Sequence, residues 1–415
     1  MGAGIGSGNR LPPYVDMQFL YEGFNVAETP YTFSQLISFT RTSAATYVNS
    51  AGNVVSASSG TPRFDYDPVT LQPRGLLIEE QRTNLLSRSE EFDNSDWSKD
   101  AATVTANATT SPDGTADADK LVEDISTGVH GLASAVPTTN APHTMSVFFK
   151  AGTRQWVRMG NGSDAQFAWF DISTGAVGNL SAGVTATVAD AGNGWFRCSC
   201  TFTPSISGGR TYQIQIGTAN GVLSNVGDGT SGIFVWGAQL EAASFATSYI
   251  PTAGSQVTCA ADQASIVAPN FAPWYNQSEG TFVVEAVTQK PTSLGATAIA
   301  IDASDGGINN RHYIGVVSAS AEVRTVNGGS VQSLLTQAYT ANVIEKYAYA
   351  MKANDFAFAR NGSIVGTDTS GSMPTIDRMF IGNAAGSAAY FNGHIRRVTY
   401  YPSRLSNAQL QALSA

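Results

Sequence analysis

The sequence predicts an all-β protein: an extended N-terminal segment followed by two β-sandwich domains. Charged residues make up only 13% of the chain, and 41 glycines, with abundant Ser, Thr, Ala and Asn, separate short apolar runs. Glycine supplies turn geometries at little steric cost, while Thr, Val and aromatic side chains suit a pleated strand. From about residue 86 apolar residues recur at alternate positions, the period of a half-buried strand. At 415 residues the chain also exceeds what one hydrophobic core usually organises, so more than one domain is expected.

Residues 1–85 carry little sustained periodicity. "SFTRTSAATYVNSAGNV", "TPRFDYDPVT" and "PRGLLIEEQRTNLL" read as short β-arms or irregular chain. A stretch this poor in apolar alternation does not carry a large core alone, so it is expected to attach or oligomerise by packing on a neighbour.

Residues 86–258 read as the first sandwich. "HTMSVFFKAG" puts Met145, Val147 and Phe149 on one face. "GWFRCSCTFT" puts Phe196, Cys198, Cys200 and Phe202 on one face with Trp195 and Arg197 on the other. "RTYQIQIGT" sets Tyr212, Ile214 and Ile216 against Gln213 and Gln215. "SGIFVWGAQLE" is apolar on both faces near its centre and reads as an interior strand, with Trp236 in the core. The following "EAASFATSYIPT" leads off the sheet and is tied down through Tyr249, Ile250 and Pro251, since proline cannot donate a ladder hydrogen bond.

The Pro-rich stretch 259–275 reads as a linker, and 276–415 as the second sandwich. "RHYIGVVS" groups His312, Ile314 and Val316 against Arg311 and Tyr313. "KYAYAMKAN" aligns Tyr347, Tyr349 and Met351, and "DFAFARNGSIVGT" aligns Phe356, Phe358 and Arg360 before an Asn361-Gly362 hairpin turn. "LSNAQLQALS" predicts a short closing helix with Ser406 as cap and Gln409 completing a capping box.

Composition excludes several classes. With 23 Lys and Arg against 32 Asp and Glu, the net charge is -9 and no basic run exists, which disfavours nucleic acid. No run approaches 18 apolar residues, so no membrane insertion is expected, and "MGAGIGSGNRLPP" lacks the features of a secretory signal. Three cysteines make no disulfide framework, and the three Cys and four His lack close zinc-ligand spacing.

The stretches "FTRTSAATYVNSAGNV" and "PRFDYDPVTLQPRGLLIEEQRTNLLSRSEEFDNSDWSK", within residues 39–99, together with "HTMSVFFKAG", "GWFRCS" and "WGAQLEAASFATSYIPT", resemble phage virion fibre and spike proteins. In those proteins, which include head spikes of tailed phages and gene transfer agents and also tail proteins, an attachment segment precedes a carbohydrate-binding-module-like jelly roll. The closing "NGHIRRVTYYPSRLSNAQLQAL" resembles the laminin-G or concanavalin-A-like superfamily, on Gly393, Ile395, Val398, Tyr400 and Leu405. The resemblance implies a homo-oligomer, trimeric by preference, on the virion surface. It would be joined to head or tail proteins and bind host surface polysaccharide such as capsule or lipopolysaccharide.

Sugar recognition needs aromatic faces beside amide, carboxylate or guanidinium groups. In the middle domain the outward candidates are Trp195, Arg197, Gln213 and Gln215, with Trp156 and Trp169 as further platforms; packing at a domain or subunit interface is the other reading. In the last domain Arg311 and Tyr313 form a polar-aromatic pair that Tyr347, Tyr349 and Arg360 could join, with the core as the other reading for the two tyrosines, and Arg396 and Arg397 must diverge. Catalysis is the rival class. Glu79-Glu80 and Glu90-Glu91 read as solvated charge, Asp302 and Asp305 as turn carboxylates, and alternation separates His312 from Arg311 and Tyr313, so a non-enzyme is expected. No cofactor is required. Asp113, Asp117 and Asp119 in "SPDGTADADK" offer oxygen ligands suited to a structural calcium, with a solvated acidic turn as the alternative.

Overall fold

The computed structural model describes residues 14–290, 297–385 and 389–415. Among these residues the chain forms four large and two small sheets, every pairing antiparallel, and two short helices. No helix among them is long and apolar enough to cross a membrane.

The large sheets pack in two pairs, each closing on its own core. In one pair a seven-stranded sheet containing Trp156–Asn161, Gln166–Asp171 and Gly208–Gly217 faces a six-stranded sheet containing His143–Lys150, Trp195–Phe202 and Gly232–Glu241. Met145, Val147, Phe149, Cys198, Cys200 and Phe202 meet Val157, Met159, Tyr212, Ile214 and Ile216 between them, as alternation requires. Gly232–Glu241 is an interior strand, buried along nearly its whole length. It changes phase midway: Phe148 opposes Trp236, but Ser146 opposes Gln239, so one extra residue bulges out. Gly237 takes φ +61 there, a conformation glycine adopts without strain. The bulge lets Ile233, Val235, Ala238 and Leu240 all reach the core while Trp236 turns to the opposite face.

In the other pair a ten-stranded sheet containing Glu279–Thr288, Glu345–Lys352, Phe356–Arg360 and Gly393–Tyr401 covers a seven-stranded sheet containing Thr297–Ser304, Arg311–Val317 and Ser320–Asn327. Tyr347, Tyr349, Phe358, Ile395, Val398 and Tyr400 fill this core against Ile301, Ile314, Val316 and Val323. Asn361 and Gly362 both take positive φ in the turn between paired strands Phe356–Arg360 and Ser363–Asp368. The closing helix Asn407–Leu413 carries the expected Ser406 and Gln409 capping box, and Leu410 packs on Ala348, Ala350, Ala357 and Ala359 outside the ten-stranded sheet.

Strands between residues 15 and 78 are woven into this second pair. Val15–Gln18 and Pro73–Ile78 both pair with Gly393–Tyr401, and Ser38–Thr40 pairs with Gln263–Val267. Short strands that lack a core of their own complete a sheet whose apolar face lies elsewhere in the sequence. Arg397 pairs with Asp16 at 2.7 Å, while Arg396 diverges to Glu285 at 2.6 Å.

The two sheet pairs meet at a buried polar knot. Arg63 binds Glu79 at 2.7 Å and also Asp262; Arg41 binds Asp262 at 3.0 Å; and Ser248 donates both its N–H and its hydroxyl to Glu79. The tail is tied down beside it. The Tyr249 ring lies 4.7 Å from that of Trp236, and its hydroxyl reaches Ser89 Oγ and Glu90 Oε1, each at 2.6 Å.

Candidate functional site

Three adjacent strands of the seven-stranded sheet in the first pair bring four of the sequence-named residues to one place. Arg158 lies opposite Trp169 on one side and Gln215 on the other; Gly160 lies opposite Phe167 and Gln213; Trp156 lies opposite Gly217. Val157, Met159, Ala168, Phe170, Ile214 and Ile216 take the inner face, so the pleat turns Trp156, Arg158, Phe167, Trp169, Gln213 and Gln215 outward.

Arg158 organises this face. Its Nε and Nη2 donate to Gln215 Oε1 at 2.9 and 2.6 Å, and its guanidinium stands 3.8 Å from the Phe167 ring centroid. Burial lowers its pKa, with no carboxylate contributing, so a half-buried cation here has only a neutral amide and an aromatic face as partners. Glycines make room for the large groups. A Cβ at Gly217 would stand 2.4 Å from the Trp169 ring, and one at Gly162 would stand 2.4 Å from Gln213 Oε1. Trp169 is therefore seated over backbone, only 7% exposed, and forms a wall. Trp156 is half-buried and the most exposed aromatic of this face, with Arg158 on the next rung bonded to Gln215, and Gln213 one rung farther. Aromatic surface, guanidinium and amide within three strands can hold the apolar and hydroxyl faces of a sugar ring.

Trp195 and Arg197 lie elsewhere, on the outer face of the opposing six-stranded sheet. Alternation set Trp195 opposite Phe196 correctly, but the expectation of an outward Trp195 is corrected: it is 1% exposed and donates from Nε1 to the Thr110 carbonyl at 3.0 Å. It shares a small core with Phe148, Trp236, Tyr249 and Val54, because the Val54–Ala57 strand and the 242–250 segment cover this face. Arg197 donates to the Thr247 carbonyl at 2.7 Å and Ser146 Oγ at 2.9 Å, at the border of a cleft between the sheet pairs.

In the second pair Arg311 and Tyr313 do share a face, with Asp302, Glu322 and Arg324, while His312 turns inward to Thr325 Oγ1 at 2.8 Å. Tyr313 is 2% exposed, bonds Glu322, and carries the guanidinium groups of Arg311 and Arg324 over its ring at 4.6 and 5.6 Å. It is thus not an open platform. Arg360 does not join them. It belongs to the other sheet, where Glu345 binds it at 2.5 Å and Gln337 and the Ala338 carbonyl take its remaining donors. Same-strand spacing could not reveal which sheet each strand enters.

Asp113 accepts from Ser111 Oγ and the Thr115 amide within its own turn, and Asp119 accepts from the Phe92 and Asn107 amides at 3.0 Å each. Asp117 Oδ1 is buried without a hydrogen-bond partner. No group of three or more His, Cys, Asp or Glu side chains placed to hold a metal ion occurs among the described residues.

Sequence reasoning missed Arg158 and Phe167. The signal was present, since "WVRMG" places Arg158 two residues from Trp156 and "QFAWF" places Phe167 two from Trp169.

No family model and no curated protein matches this chain. Among solved structures, the Ruminococcus gnavus IT-sialidase CBM40 bound to alpha2,3 sialyllactose is 18% identical, with a TM-score of 0.31 over 36% of this chain and 88% of that one. The botulinum neurotoxin serotype D binding domain is 11% identical, with a TM-score of 0.30 over 37% and 40%. The Limulus polyphemus SAP-like pentraxin is 11% identical, with a TM-score of 0.26 over 33% and 70%.

Proposed function

We propose that this chain is a non-enzymatic virion fibre or spike adhesin whose two β-sandwich units, jelly-roll and laminin-G-like in kind, present a surface for host glycan such as capsule or lipopolysaccharide. The observation that carries the reading is the outer sheet face on which Trp156, Arg158 with the buried Gln215, and Gln213 occupy successive rungs, with no carboxylate partner for the arginine. No cofactor enters the reading. Copies joined as trimers to a virion head or tail would multiply weak sugar contacts into useful avidity. A spacer role is the second reading, favoured by the burial of Trp195 and Tyr313.

The test is binding of the full chain to host cells and to purified capsule and lipopolysaccharide, beside Trp156→Ala and Arg158→Met. Each substitution should weaken binding about tenfold, roughly 1.4 kcal/mol. Wild-type binding to no host envelope component, or binding untouched by both substitutions, would overturn the assignment.

A further inference from the structure

A cleft of about 700 Å³ separates the two sheet pairs, within the ~300–1,000 Å³ usual for small-ligand sites. One wall is the outer face of the six-stranded sheet. Strand Thr185–Asp190 pairs with Trp195–Phe202 so that Thr185 opposes Thr201, Thr187 opposes Ser199 and Ala189 opposes Arg197, three successive rungs on one face. The alternate residues Ala186 and Val188 pack inward, which fixes the outward direction of the hydroxyls. The other wall carries Tyr47 from the N-terminal segment and Gln289 and Asn342 from the second pair.

The groups divide into engaged and unengaged. The charged ones already have partners: Asp65 accepts from the Val48 amide and binds His394 at 2.8 Å, Glu79 binds Arg63, and Arg74 binds Asp67 at 2.8 Å. Arg197 donates to the Thr247 carbonyl and Ser146 Oγ, stands 5.3 Å from the Phe148 ring, and keeps only its buried Nε without a partner. By contrast the side chains of Thr185, Thr187, Ser199, Tyr47, Gln289 and Asn342 make no hydrogen bond among the described residues. The edge carboxylate Asp190 accepts from the Gly192 amide at 2.9 Å, so these unengaged side chains are uncharged hydroxyls and amides, able both to donate and to accept. An anion would meet Asp65, Glu79 and Asp190 on a chain of net charge -9, while the lining basic groups Arg74, Arg197 and His394 are already bonded to Asp67, to Thr247 and Ser146, and to Asp65; an apolar ligand would strip water from the hydroxyls without replacing it.

We infer that this cleft is a second saccharide site, taking a neutral stretch of glycan that bridges the two sheet pairs. The inference shares the ligand class of the proposed function but none of the residues of its sheet face.

The experiment measures binding of the full chain to an array of neutral oligosaccharides and their sialylated or uronate-bearing counterparts. Four proteins are compared: wild type, Trp156→Ala, Thr187→Trp, which fills the cleft from an exposed edge strand, and the double variant. Trp156→Ala should retain neutral-glycan binding, and adding Thr187→Trp should reduce that remainder about fivefold or more. Thr187→Val removes only the hydroxyl and should give a smaller loss in the same direction, keeping the test valid if the bulky variant misfolds. The cleft site is overturned if Trp156→Ala alone abolishes all binding, if neither Thr187 variant changes the remainder, or if the remainder follows acidic glycans. Loss through Thr187→Trp with none through Trp156→Ala would instead leave the cleft standing and remove the sheet face.

Discussion

Arg63→Met tests whether the buried knot holds the two sheet pairs in one structure. The guanidinium is fully buried and binds Glu79 and Asp262, the Thr46 carbonyl at 2.9 Å and the Ser248 hydroxyl at 2.8 Å. Methionine keeps the apolar stem but leaves Glu79 with only the Ser248 donors, and Asp262 with Arg41 and the Glu79 amide. Breaking one side of a buried ion pair costs about 3–5 kcal/mol, because the remaining charge stays out of water without its partner. At ~1–2 °C per kcal/mol for the two sheet pairs unfolding as one body, Tm should fall by about 3–10 °C. Differential scanning calorimetry at pH 7 reads the shift. Burial pushes the Glu79 pKa up, but the Arg63 charge and the Ser248 bonds outweigh it, so Glu79 lies below its ordinary 4.5. Its contribution is therefore present above about pH 4.5 and lost as pH falls through the lower folded value, and the gap between wild type and variant should narrow in acid. A loss under about 1 kcal/mol at pH 7, or a gap unchanged from pH 7 to pH 3, would refute the reasoning.

Two further outcomes are expected. Burial pushes Asp302 up to about 6 from 3.8 against the opposing pull of Arg311 and the Ala385 amide, so its contribution weakens folding as pH rises from about 4 to 6. Asp302→Asn should remove a pH-dependent loss of about 3 kcal/mol across that window, read by urea unfolding at each pH; parallel curves for the two proteins would count against it. Burial also pushes the thiols of Cys198, Cys200 and Cys259 up, so a thiol reagent at pH 8 should label none of the three until the protein unfolds, and fast labelling of the native chain would contradict their placement.

Much of the strand pattern was legible locally. Alternation assigned Cys198, Cys200, Tyr212 and Ile214 to inner faces and put Tyr347 and Tyr349 on one shared face, which the structure turns into the core, because period-two chemistry states which side chains share a side of a strand. The Ser406 cap and the Asn361-Gly362 turn were legible because their chemistry acts within four residues. The matching box at Thr32 and Gln35, which starts the short helix Phe33–Leu36, passed unnoticed in a segment without periodicity.

Alternation says which residues share a face, but not what lies against it. Trp195 and Trp156 read alike in sequence, yet a ribbon and a tail segment cover the first while the second is only half-buried. The same limit separated Arg360 from Arg311 and hid the N-terminal strands within the C-terminal sheet, since pairing partners as far apart as Val15 and Tyr400 are chosen by complementary edges and not by local propensity. The sequence by itself determined the β-class, the inner faces and the local turns and caps, all short-range consequences of side-chain type. Only the tertiary structure decided which outer faces remain open to a ligand, because that depends on long-range packing of one sheet pair and its connecting chain against the other.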